Sequence, residues 1–129
     1  LCALVRGRAI SDSQTGKLPP EVGAALTVLG RLPKIPGMAP LDLHGVHLGG
    51  ASLPFADLRG AFLYDCNLES ALLCHADLRG AWLYRTRLSL ANFDGADLRG
   101  ADLSGAHGAS KSQFARTNWD EKTLWPVWE

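Results

Sequence analysis

The chain has 129 residues, and its 13 Lys and Arg balance its 13 Asp and Glu to a net charge of zero. No polybasic tail or acidic block stands out, so charge points neither to nucleic acid nor to an anionic membrane. The length allows one domain with a small extension, and no apolar run is long enough to span a bilayer.

Residues 1–9 read as the end of a helix, and residues 10–18 as a polar loop. No signal peptide is evident, and the start at Leu1 without Met makes an upstream segment the expectation. Pro19 and Pro20 then precede Val22, Ala25, Leu26 and Leu29, spaced as one face of a helix with Gly30 near its end. Pro33, Pro36 and Pro40 make a stiff linker. Residues 1–40 are therefore expected to be a short α-helical region and linker, with helix 20–31 covering the open end of the segment that begins at residue 41.

From residue 41 two periods run together. Ala56-Asp57-Leu58-Arg59-Gly60-Ala61 recurs at 76–81 and at 96–101, a spacing of twenty. Within it, Leu or Phe falls every fifth residue from Leu43 to Leu103, usually two residues after a small side chain. A five-residue beat fits neither an α-helix nor a flat strand. Split into two and three, it gives a short side with its small residue and Leu facing inward, then a corner. Gly45, Gly50, Gly60, Gly80, Gly95, Gly100 and Gly105 stand two residues after a central Leu or Phe, where a type II turn needs φ > 0. Four corners close one coil of twenty residues. Coils about 4.8 Å apart then stack their Leu side chains into internal columns, because no single repeat buries a core alone.

The pattern of Ala56-Asp57-Leu58-Arg59-Gly60 and Ala91-Asn92-Phe93-Asp94-Gly95 resembles the pentapeptide-repeat proteins. That resemblance implies an all-β solenoid, a right-handed, four-sided β-helix, over residues 41–108. Residues 24–43, with their proline-rich stretch, are also similar to bacterial, especially actinobacterial, members in which a helical and often membrane-anchored region precedes the repeats. The family is fold-rich and function-poor, so the resemblance implies little about activity.

Position 108 holds Gly where the beat requires Leu. Phe114, Trp119 and Leu124 resume a five-residue spacing, offset by one, so one inserted residue is expected around 105–111. Residues 109–129 are expected to form an irregular final coil, with Phe114, Trp119, Trp125 and Trp128 capping the C-terminal end.

The residue before each central position and the two after it face water. Asp57, Asp77 and Asp97 form one outward column and Arg59, Arg79 and Arg99 another, which are expected to neutralise each other. On the 63/83 side, Phe62 and Trp82 stack before the central residue, Tyr64 and Tyr84 after it, and Asp65 and Arg85 can pair between coils. Two explanations of this aromatic patch stay open. It packs within the chain, or it is a partner or dimer surface, where Trp and Tyr often serve as anchors. These six residues are the candidate interaction surface.

His44, His47, Cys74 and His75 are the residues with metal-binding or catalytic chemistry, but they are scattered along the repeats and lack convergent spacing. No phosphate loop or paired catalytic carboxylate motif is present. A packed β-helix with flat sides offers no pocket for a nucleophile and its base. No cofactor, metal site or catalytic residue is therefore expected. Cys2, Cys66 and Cys74 show no paired spacing and suit a reducing cytoplasm, with Cys66 filling the interior. The leading function is a non-catalytic protein-interaction or scaffold module, with a homodimer as one option. The alternative, implied by the resemblance, is a DNA-mimicking regulator of DNA gyrase or another type II topoisomerase. It fits poorly here, because the repeats carry five Arg against eight acidic residues and span only about four coils, roughly 20 Å.

Overall fold

The structure is a computed structural model that describes residues 40–128. The expected N-terminal helix, most of its linker and Cys2 lie outside the described residues. From residue 41 the chain winds into coils of twenty residues, 41–60, 61–80 and 81–100, with a longer last one from 101. Each side of a coil has one bridging residue, paired in parallel with the residue twenty positions on: Asp57↔Asp77↔Asp97 on one side, Phe62↔Trp82↔Asp102 on the next. The expected short strands are thus single isolated bridges, each followed by a turn.

The hydrogen bonds explain why five residues suffice for one side. Leu58 N–H donates to the Asp77 carbonyl at 2.8 Å, and Asp77 N–H donates to that of Ala56 at 2.9 Å. These two bonds tie a coil to the one above. Ala61 N–H donates to the Leu58 carbonyl at 3.1 Å, which closes the corner. The small residue and the central Leu or Phe face inward. Leu58, Leu78 and Leu98 are at most 2% exposed, as are Leu63, Leu83 and Leu103. Each such Leu contributes about 1.5–3 kcal/mol from burial. Polar insiders are satisfied locally. Cys66 Sγ donates to the Leu43 carbonyl at 2.9 Å, and Thr86 Oγ1 to that of Leu83 at 2.6 Å. Among the described residues no buried side-chain nitrogen or oxygen lacks a partner.

The corners need φ > 0 whatever residue stands there. Phe55, Asp65, Ser70, His75, Arg85 and Leu90 adopt φ between 56° and 61°, beside the glycines. An L-residue pays about 1–2 kcal/mol for that conformation, which is more than glycine's extra chain entropy of about 0.5–1 kcal/mol. Leu90 is 83% exposed, so little packing holds it there. Leu90→Gly is expected to stabilise the chain by about 0.5–1 kcal/mol, read as a higher urea midpoint. A lower midpoint would refute this account of the corners.

Regularity ends at the top. The inserted residue expected around 105–111 is present: Asp97 bridges Asn118, twenty-one positions on. It is accommodated by a short 3-10 helix, Lys111–Phe114, that brings Phe114 to 5.1 Å from the Phe93 ring. The expected five-residue beat through Leu124 fails. Asp102 bridges Leu124, twenty-two positions on, so a second residue has been inserted in the turn at Asp120–Thr123. Leu124 therefore faces out at 53% exposure, and Trp125, half-buried against the core, takes the inward place. Trp119 stays 57% exposed and meets Trp125 edge-on at 6.0 Å.

Side chains replace the coil that would otherwise lie above. Gln113 Nε2 donates to the carbonyls of Leu88 at 2.8 Å and Ala91 at 3.0 Å. Thr123 Oγ1 donates to the Leu98 carbonyl at 2.9 Å, and Asp120 Oδ1 accepts the Gly100 N–H at 3.0 Å. The bonds to Ala91 and Gly100 satisfy backbone groups that a regular next coil would have paired, while the Leu88 and Leu98 carbonyls, which already accept the Ala91 and Ala101 N–H, gain a second donor. Burial pushes the Asp120 carboxyl upward, but the N–H groups of Gly100 and Lys122 and the contacts with Thr123 together outweigh it and hold it below the usual range.

Candidate interaction surface

Twenty-residue stacking decides which side chains meet. On the face with central residues 43, 63, 83 and 103, all six candidate residues come together. The Phe62 and Trp82 rings meet edge-on at 5.8 Å and 90°. Tyr64 and Tyr84 stack face to face, 4.9 Å apart and 4° from parallel. Asp65 accepts from Arg85 Nη2 at 3.0 Å, and Arg85 Cζ lies 5.4 Å from the centre of the Tyr84 ring. The two ring columns also touch, Trp82 to Tyr84 at 6.4 Å and Phe62 to Tyr64 at 6.3 Å.

The structure adds one member that the sequence reading leaves out. The His44 ring stacks on Tyr64 at 4.8 Å and 10°, and its Nδ1 pairs with Asp42. The signal is present in the sequence, since His44 precedes Tyr64 by one full coil. The ladder thus runs His44, Tyr64, Tyr84. Stacking covers the ring faces, so the ladder presents ring edges and two phenol hydroxyls to the outside. Trp82 is the most open member, 47% exposed, while Phe62, Tyr64 and Tyr84 are half-buried.

The face of Leu58, Leu78 and Leu98 behaves differently. Arg59 holds Asp57 at 2.8 Å, Arg79 holds Asp77 at 2.7 Å and Arg99 holds Asp97 at 2.6 Å, each within its own pentapeptide. Weaker contacts reach the carboxylate of the coil above, Arg59 to Asp77 at 3.7 Å and Arg79 to Asp97 at 3.8 Å. The Arg99 hydrogen bond keeps the Asp97 carboxyl below the usual range, and the Asp77 hydrogen bond raises Arg79. The charges cancel along the whole face, and such exposed pairs each contribute about 0–1 kcal/mol.

The residues with catalytic or metal-binding chemistry are dispersed. His44 belongs to the aromatic ladder, His47 to the next face, and Cys74 and His75 to the face beyond. His75 stacks on Phe55 at 5.0 Å. Among the described residues no three His, Cys, Asp or Glu converge as a metal-holding group. No described helix is long and apolar enough to cross a membrane.

A four-sided solenoid of five-residue sides, with a closed Leu core and functional groups only on its outer faces, defines a class of repeat protein. The chain belongs to the pentapeptide-repeat family, whose family model, "Pentapeptide repeats", matches residues 42–73 and 73–107 in eight copies, more than half of the chain. Similar solved structures include the pentapeptide repeat protein Rfr23 from the cyanobacterium Cyanothece 51142, 28% identical over 70% of this chain and 67% of that one, with a TM-score of 0.38. The pentapeptide repeat protein alr5209 from Nostoc PCC 7120 is 24% identical over 88% of this chain and 89% of its own, with a TM-score of 0.44. QnrB1, a plasmid-mediated fluoroquinolone resistance protein, is 22% identical over 67% of this chain, which spans 51% of it, with a TM-score of 0.40. At these values the neighbours say nothing about what this chain binds. No curated protein sequence matches it.

Proposed function

We propose that this chain is a non-catalytic interaction module, a rigid solenoid that presents its aromatic face to a protein partner. The observation that carries this reading is the cluster of five rings, His44, Phe62, Tyr64, Trp82 and Tyr84, on successive coils of one face. A solvated face needs no such cluster, and Trp and Tyr are frequent anchors in interfaces. Asp65 and Arg85 at its edge supply a polar rim of the kind that fixes register.

The gyrase-regulator alternative is less well supported. Mimicry of duplex DNA needs a continuous acidic surface, whereas the carboxylates of Asp57, Asp77 and Asp97 are each held by an arginine. An unchanged supercoiling rate in excess of this protein is the expected result.

The test of the interaction reading is capture of binders from source-cell lysate by the immobilised chain, beside the double variant Trp82→Ala, Tyr84→Ala. Loss of two such anchors is expected to weaken the partner by at least about 2 kcal/mol, about thirtyfold. Circular dichroism and thermal unfolding check that the variant keeps its fold. Equal retention by parent and variant would remove the aromatic face from consideration.

A further inference from the structure

The face with central residues 48, 68 and 88 carries a second kind of surface. His47, Asn67, Arg87 and His107 occupy its bridging position on four successive coils, each paired in parallel with the next. They line a groove of about 400 Å³ at the corner toward the aromatic face, whose other wall includes Asp65 and Arg85.

The groove is a row of hydrogen-bond donors. Arg87 is exposed, and among the described residues no carboxylate lies within ion-pair distance of its guanidinium. The other four arginines of the repeats, Arg59, Arg79, Arg85 and Arg99, each hold an aspartate. Asn67, which lines the groove, engages its Oδ1 with the Glu69 N–H at 2.9 Å, so the amide NH₂ is what it offers a ligand. His47 and His107, both exposed, flank Asn67 and Arg87 below and above. The one acidic wall residue, Asp65, is engaged by Arg85 Nη2 at 3.0 Å. Among the described residues Arg87 is therefore the arginine of the groove whose charge no carboxylate holds.

We propose that this groove is an oxyanion site that takes the phosphate group of a small molecule, free phosphate or a phosphomonoester. Arg87 supplies a planar pair of charge-assisted donors. The Asn67 amide one coil below and the His107 ring one coil above, each roughly 4.8 Å from the level of Arg87, add further donors, and His47 stands two coils below. The volume exceeds what phosphate alone fills and leaves room for a small organic group at the open side. The site is independent of the aromatic face, so failure of one leaves the other standing.

The experiment is a titration of the whole chain, followed by amide chemical shifts, with inorganic phosphate and separately with phenyl phosphate at low ionic strength. Parent, Arg87→Gln and Arg79→Gln are compared. Saturable shifts centred on residues 47, 67, 87 and 107 are expected, with affinity lowered at least about tenfold in Arg87→Gln, the loss of one charge-assisted contact, and unchanged in Arg79→Gln. Tighter binding of phenyl phosphate identifies an ester ligand, and equal binding identifies free phosphate. Absence of saturation with both probes, or equal loss in the two variants, overturns the site. Unchanged dispersion of the spectrum confirms that Arg87→Gln is folded.

Discussion

Phe93→Ala is expected to destabilise the chain by about 3–5 kcal/mol, the largest effect of any single truncation considered for this solenoid. Phe93 is fully buried at an inward position that Leu holds elsewhere, and its ring stacks on Phe114 at 5.1 Å. Phe114 in turn meets Trp125 at 5.2 Å and Trp128 at 5.8 Å. Removing the Phe93 ring thus opens a cavity in the third coil and takes away the floor on which the terminal cap rests. The cap's polar bonds compound the loss, because Gln113 reaches Leu88 and Ala91 only while the 3-10 helix is seated. Urea unfolding would read the total, and Trp fluorescence would show the cap releasing before the coils. Leu68→Ala, which empties an inward position far from the cap, is expected to cost about 2–5 kcal/mol and to leave a single transition. If both variants unfold in one transition, the cap is not coupled through Phe93.

Gly95→Ala is the second effect, about 1–2.5 kcal/mol, the sum of a net backbone cost and a lost ring contact. Gly95 sits at φ +74°, and a Cβ there would lie 2.3 Å from His75 Nδ1. Gly80→Ala separates the two causes, since Gly80 has φ +67° but nothing within 4 Å of where its methyl would lie. It should show only the net conformational cost of about 0.5–1 kcal/mol, the φ > 0 cost less glycine's extra chain entropy. The excess at Gly95 measures displacement of the His75 ring and loss of its stack on Phe55 at 5.0 Å, a contact of about 0.5–1.5 kcal/mol. In a His75→Ala background the two glycine substitutions should cost the same. A remaining excess in that background would mean that the Gly95 corner is constrained by something other than the imidazole.

Both predictions concern places where the periodic code meets a particular neighbour, and the candidate surface divides the same way. Phe62, Trp82, Tyr64 and Tyr84 are legible as a cluster because each pair differs by twenty, the length of one coil. The ion pair of Asp65 with Arg85 is legible for the same reason. His44 obeys the rule too, but a histidine in sequence suggests a ligand before it suggests a ring. The donor groove on the 48/68/88 face is not legible. Its character depends on what Arg87 lacks, and the absence of a carboxylate within reach among the described residues is a three-dimensional fact.

The inside and outside of residues 41–107 follow from sequence alone. Every pentapeptide repeats nearly the same backbone path, so position in the repeat dictates side-chain direction, and a gap of twenty dictates the neighbour above. That local rule also explains Cys66 in the core and the mutual neutralisation of the Asp and Arg columns. The tertiary structure decided what breaks the period. It showed that each arginine of that face binds first within its own pentapeptide, because that aspartate lies two residues away and the one above is about an ångström farther. It placed the second insertion at Asp120–Thr123, which turned Leu124 outward and Trp125 inward. It also brought Gln113, Asp120 and Thr123 onto the backbone of the third coil. An end must satisfy donors and acceptors that no further repeat will meet, and it does so with whichever side chains the irregular chain can bring there. A repeating sequence encodes its interior by local geometry, while the form of its end is settled by contacts that occur only once.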